Sequence, residues 1–114
     1  MNQVTENRWK DSRIQVQAFI DRLKYAICSG NVKISFQKDR KVDEGRNLKY
    51  TNRYTIGHLF PDEDEIEILK RELSFLSVED YIETVKDNRF PKLTEMRVFG
   101  RRYFECDVYI KIRL

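Results

Sequence analysis

No stretch of apolar residues in this 114-residue chain approaches the length of a membrane span or of the apolar part of a secretory signal, so a cytoplasmic protein without a membrane partner is expected. Cysteine is scarce. Cys28 and Cys106 stand far apart and form no C-x-x-C pair, which argues against a zinc site or a disulfide framework and casts both as small core residues. With only four glycines and two prolines and no biased tract, no long disordered linker is indicated. Phosphate-binding glycine loops, dinucleotide-binding glycine motifs and the serine-hydrolase elbow are missing, and no cofactor is expected. The single histidine, His58, sits among Ile56, Leu59 and Phe60 and is expected to be a buried, hydrogen-bonded residue. The acids Asp62 to Glu65 lack the spacing of a calcium loop, so no metal site is assigned.

What the chain does have is charge, unevenly placed. Residues 61 to 87 hold ten acids against three cations, whereas the segments before and after carry net charges of +6 and +4. A domain basic at both ends can offer a phosphate-attracting surface while its acidic middle faces elsewhere. The length suits a single domain spanning residues 1 to 114.

Residues 1 to 10 read as a flexible lead-in, with Trp9 pinning the start of the first helix. Val16, Phe19, Ile20, Leu23, Ala26 and Ile27 recur at three and four residues, predicting a helix from an Asp11 or Ser12 cap to Ser29-Gly30. Val32, Ile34 and Phe36 alternate as in a strand, and residues 38 to 53 read as a basic loop or irregular strand. After Pro61, the acids and then Ile66, Leu69, Leu73 and Leu76 predict a second helix. Ser77 to Asp80 resembles a capping box opening a short helix that buries Val78, Tyr81, Ile82 and Val85. A strand through Met96 and Val98, a turn at Gly100-Arg101-Arg102, and a strand through Val108, Ile110 and Ile112 complete the pattern.

Alternate residues of a strand share a face, so Tyr109, Lys111 and Arg113 form one row. In a hairpin of ordinary register Arg97 joins that row beside Tyr109 or Lys111. A phenol among cations suits an RNA phosphate, because the cations neutralise the phosphodiester while the tyrosine stacks on a base or moves a proton. Any exposed strand face has the same look, so a purely structural row is the rival reading.

The segment Leu76-Ser-Val-Glu-Asp-Tyr-Ile-Glu, followed by Glu95-Met-Arg-Val-Phe-Gly100 and Asp107-Val-Tyr-Ile-Lys-Ile112, resembles the MqsR-type toxins. These are small RelE-like messenger RNA interferases of bacterial toxin-antitoxin pairs. The resemblance implies an α+β fold, a small antiparallel sheet with helices packed on one face, and metal-independent RNA cleavage on the other. It implies a catalytic role for Tyr109, with Arg97 at the place of a family glutamine and Lys111 helping to hold the phosphate. Arg113, Lys86, Arg101 and Arg102 are the further cations expected to bind RNA. The lysine that follows the family's helical Asp-aromatic pair is not matched, since Glu83 stands near its place. The family's further strand, with its own catalytic lysine, has no counterpart before Leu114. The strand through Tyr109 is then expected to present an open edge, to which an antitoxin or a second copy in a homodimer can pair. A non-catalytic RNA-binding module and a protein-interaction domain are the alternative functions.

Overall fold

The computed structural model describes residues 5–30, 59–60, 62–103 and 106–114, except for the side chain of Cys106. The strand expected at 32–36, the basic stretch 38–53, His58 and Pro61 lie outside the described residues.

The first helix forms for the local reasons its sequence indicates. Ser12 caps α1 (Arg13–Ser29): its hydroxyl accepts from the Gln15 amide at 3.2 Å, and the Gln15 side chain accepts from the Ser12 amide at 2.8 Å. This reciprocal pair satisfies two of the amides that a helix start leaves open. Gly30 ends the helix at φ 76°, a left-handed conformation that costs a glycine little. The same helix corrects one expectation, because Cys28 is exposed rather than in the core.

The second helix, α2 (Glu65–Ser74), starts at Asp64, whose carboxylate accepts from the Glu67 amide at 3.1 Å. It buries Ile68 and Leu73, while Ile66 is only half-buried. Leu76, just past its end, is fully enclosed.

The Ser77 to Asp80 box closes, with the Ser77 amide donating to Asp80 Oδ2 at 3.0 Å, but it supports only one 3-10 turn over Val78–Asp80. Residues Tyr81–Asp87 then form strand β2 instead of the expected helix. The aromatic and β-branched run Tyr81, Ile82, Thr84 and Val85 suits a pleated surface, and β2 has strand partners on both sides. One partner is β1 (Glu6–Trp9), so these four residues are a paired strand and not part of a loose lead-in. The other is β3 (Met96–Tyr103), which pairs in turn with β4 (Cys106–Ile112). All neighbours are antiparallel, in the order β1-β2-β3-β4. The expected turn at Gly100 to Arg102 lies inside β3, and the chain reverses between Tyr103 and Cys106.

Both helices pack on one face of this sheet, giving a small α+β fold. Val16, Phe19, Ile20 and Leu23 of α1 meet Leu73, Leu76, Phe99 and Ile112 in one core. Phe99 is its centre: stacked on Phe19 at 6.1 Å between ring centroids, and edge-on to Tyr81 at 5.9 Å. Val85 and Val98 are buried too, although by strand alternation they belong to the opposite face. The sheet therefore encloses apolar side chains on both sides, while its second face is open to solvent at Tyr109 on β4 and at Arg8 on β1.

Candidate nucleic-acid interface

The register of the last hairpin decides which cations share a surface. Gly100 pairs with Tyr109, Val98 with Lys111, Arg102 with Asp107, and Arg97 with Ile112. Directly opposed residues of an antiparallel pair project to the same face. Tyr109, Lys111, Arg102 and Asp107 consequently face away from α1, whereas Arg97 and Arg101 face it together with Phe99, and Arg113 lies just past the end of β4. Every odd-numbered residue of β3 sits opposite an even-numbered one of β4, which is the reverse of the register that would bring Arg97 to Tyr109. The cause is the displaced turn.

Tyr109 is 69% exposed and lies across from a residue with no side chain. A Cβ at Gly100 would stand 2.9 Å from Ile82 Cδ1 and 3.8 Å from Tyr109 Cδ1, so the glycine keeps the strand close to Ile82 and leaves a bare backbone floor beside the phenol ring. Gly100, Arg102, Asp107 and Tyr109 line a shallow groove of about 240 Å³ there. At its far end Arg102 Nη1 and Asp107 Oδ1 are 3.8 Å apart, a loose pair exposed by about two-thirds on each side. Along β4 in the other direction, Lys111 and Arg113 are both exposed, and Arg113 Nε donates to the Thr94 carbonyl at 2.9 Å. That bond fixes the guanidinium at the mouth of the β2–β3 connection.

The remaining cations expected at an RNA surface are engaged elsewhere. Arg97, 19% exposed, donates through Nε to Asp11 Oδ2 at 3.0 Å and through Nη1 to Glu95 Oε1 at 3.1 Å, with its guanidinium 5.0 Å from the Phe19 ring centroid. Glu95 is held below the usual carboxylate range, first by its own backbone amide and also by Arg97. Arg101 donates to the Phe75 carbonyl at 2.8 Å, lies 3.6 Å from Asp80, and stacks over Tyr103. Lys86 donates to the carbonyls of Pro91 and Leu93, closing the β2–β3 connection. Each of these three ties the fold together from within.

A polar centre that sequence reasoning passed over lies under Arg97. Asp11, read only as a helix cap, has a side chain 5% exposed that accepts from Trp9 Nε1 at 2.9 Å, Thr84 Oγ1 at 3.0 Å and Arg97 Nε at 3.0 Å. Its amide donates to the Tyr81 hydroxyl at 2.9 Å, and that hydroxyl and Thr84 Oγ1 are 2.7 Å apart. One carboxylate thus joins β1, the start of α1, β2 and β3, and a saturated network of this kind fixes one arrangement of those elements. The only local signal for it is the Trp-x-Asp spacing ahead of the helix.

At the far end of β3 the Tyr103 hydroxyl is enclosed with no hydrogen-bond partner among the described residues. Burial, and next the neighbouring Glu72 carboxylate, push its pKa up to about 12. Among the described residues no helix is long and apolar enough to cross a membrane, and no group of three His, Cys, Asp or Glu is placed to hold a metal ion. No family profile, characterised protein or solved structure matches this chain.

Proposed function

We propose that the chain is a toxin-like endoribonuclease that binds RNA on the β4 face around Tyr109, cleaves it without a metal ion, and is held in check by an antitoxin. The observation that carries this reading is the exposed Tyr109 over its glycine floor, with Lys111 on the same strand face, Arg102 on the neighbouring strand opposite Asp107, and the exposed Arg113 just past the end of β4. Residues two apart on a strand are about 7 Å from one another, roughly the spacing of successive phosphates, so a row of this kind can follow an RNA backbone while the ring takes a base.

The chemistry asks little more of the site. The ribose 2′-hydroxyl attacks the adjacent phosphorus, the bond to the 5′-oxygen breaks, and the products carry a 2′,3′-cyclic phosphate and a 5′-hydroxyl. Tyr109 is the group to exchange a proton with the reacting oxygens, and Lys111 the cation to stabilise the charged phosphorane. Arg97 has no part in this scheme, because Asp11 and Glu95 hold it on the other face. An antitoxin would cover the β4 face, and β4 ends the sheet among the described strands.

A second reading, a binding module that does not cut, is favoured by one specific observation. Of the three residues expected to be catalytic, only Tyr109 and Lys111 share a face. Purified protein incubated with RNA in EDTA separates the two. Cleavage with 2′,3′-cyclic phosphate ends supports the nuclease, and a salt-sensitive shift without cleavage selects the module. Folded protein that neither binds nor cuts RNA at low salt overturns both.

A further inference from the structure

Among the described residues, β4 (Cys106–Ile112) ends the sheet with a strand partner on one side only. A strand bonded on one side directs every second N–H and C=O outward, where another strand can take them up. Edges are commonly blunted by a bulge, a proline or extreme shortness, and β4 has none of these: it runs seven residues in unbroken register with β3. Val108 and Ile110, on the face that packs against α1, are only half-buried at this edge. On the other face, Asp107 and Lys111 stand equally far from Tyr109, one on each side of it. Asp107 is held only loosely by Arg102, at 3.8 Å, and Lys111 has Val98 rather than an acid across from it on β3. Each of the two charges is thus open to a further partner at the edge.

We infer that β4 pairs antiparallel with β4 of a second copy of this chain, about a two-fold axis through Tyr109 and perpendicular to the sheet. Tyr109 then lies across from Tyr109 of the second copy, Asp107 from its Lys111, and Lys111 from its Asp107. On the α1 side Val108 comes opposite Ile110, and symmetry makes that pair twice. Opposite charges, aromatic pairs and branched apolar pairs across strands each favour the pairing. Like charges stay apart: the two Asp107 residues are four positions from each other along the paired strands, about 13 Å, against about 5 Å between each acid and its opposing lysine. Moving the axis to Val108 or Ile110 would oppose Tyr109 to Asp107 or to Lys111, lose both Asp107–Lys111 pairs, and leave one end of the seven-residue strand without a partner. An unrelated strand could take up the backbone groups, but a second copy brings a base to Asp107 and an acid to Lys111 at the same time. This pairing uses the strand edge and does not depend on the RNA reading.

Sedimentation equilibrium across a range of protein concentrations, with reductant present and RNA absent, tests the inference. Wild type is expected to show a reversible monomer-dimer equilibrium. Asp107→Lys and Lys111→Asp each set like charges opposite one another twice, and each should raise the dissociation constant at least about tenfold with an unchanged far-ultraviolet circular dichroism spectrum. The double variant should recover the dimer, and so should an equal mixture of the two single variants, because in this register each acid again meets a base. A wild type that stays monomeric at the highest soluble concentration overturns the inference. So does a dimer that the single substitutions leave intact, and so do folded single variants that fail to associate with each other when mixed.

Discussion

Arg97 and Tyr109 lie on opposite faces of the same β-hairpin. Arg97 is directly across from Ile112 and Tyr109 from Gly100, so the guanidinium is turned toward α1 and the phenol away from it. The two residues most open to a catalytic reading therefore have different roles. Tyr109 is available to a ligand, and Arg97 is the cation that accompanies the enclosed Asp11 carboxylate.

The first prediction follows from that separation. Asp11→Ala leaves Arg97, Thr84 and Trp9 without their shared acceptor, and breaking an ion pair this enclosed should cost roughly 3 kcal/mol. Urea denaturation reads the loss. Replacing Arg97 and Asp11 together should cost less than the two single changes added, because neither charge is then left alone. RNA affinity per folded molecule should be unaffected by any of these changes.

Substitutions on the other face should behave in the opposite way. Lys111→Ala and Arg113→Ala are expected to change stability by no more than about 0.5 kcal/mol. Each should weaken RNA binding across sequences and reduce the dependence of log K on log salt by about one. Salt titrations of RNA affinity for each variant, beside its denaturation curve, check both statements.

Gly100→Ala places a methyl group 2.9 Å from Ile82 Cδ1, and the end of that side chain must swing aside. A loss of about 1 kcal/mol, the low end for overpacking substitutions, is expected in urea denaturation because only a side-chain terminus has to move. Adding Ile82→Ala relieves the contact with Ile82, so the double variant should be more stable than its two single losses added together imply. The Tyr109 ring, 3.8 Å from the new atom, is at ordinary contact distance and need not move, so RNA binding per folded molecule should stay close to wild type in both variants.

Tyr103 supplies a pH test. A phenol whose pKa is raised on folding stabilises the fold fully below its unfolded value near 10, and that contribution is lost as pH rises through the folded value of about 12. Wild type should therefore lose stability between pH 10 and 12 more steeply than Tyr103→Phe. At pH 7 the same variant removes an enclosed hydroxyl that has no hydrogen-bond partner among the described residues, so it should be neutral or slightly stabilising. Thermal melts of the two proteins at matched pH make the comparison.

The legible parts of the fold were those decided within a few residues. The Asp11 or Ser12 cap, the Gly30 stop and the three-and-four spacing of Val16, Phe19, Ile20 and Leu23 are local, and α1 runs as they predict, with Ser12 as the cap. β2 was not legible for the converse reason. Tyr81, Ile82 and Val85 fit a helical stripe as well as a strand, and pairing with β1 and β3, both distant in sequence, settles the choice. Gly100 suggests a turn because glycine marks turns, yet a strand also uses glycine where a neighbouring side chain, here Ile82, comes close. That single displacement of the turn carried Arg97 to the wrong face. The shared face of Tyr109 and Lys111 is independent of that displacement, since it depends only on the alternation of β4 itself, whereas Arg113 lies just past the end of the strand.

The central claim is that Tyr109 acts on RNA from the β4 face, and the most direct test compares wild type with Tyr109→Phe on one RNA substrate in EDTA, following both cleavage and binding. Loss of the hydroxyl should slow cleavage by about 10²–10⁴-fold while the retained ring keeps RNA affinity close to wild type. A variant that cuts RNA as fast as wild type, with the same product ends, would contradict the account.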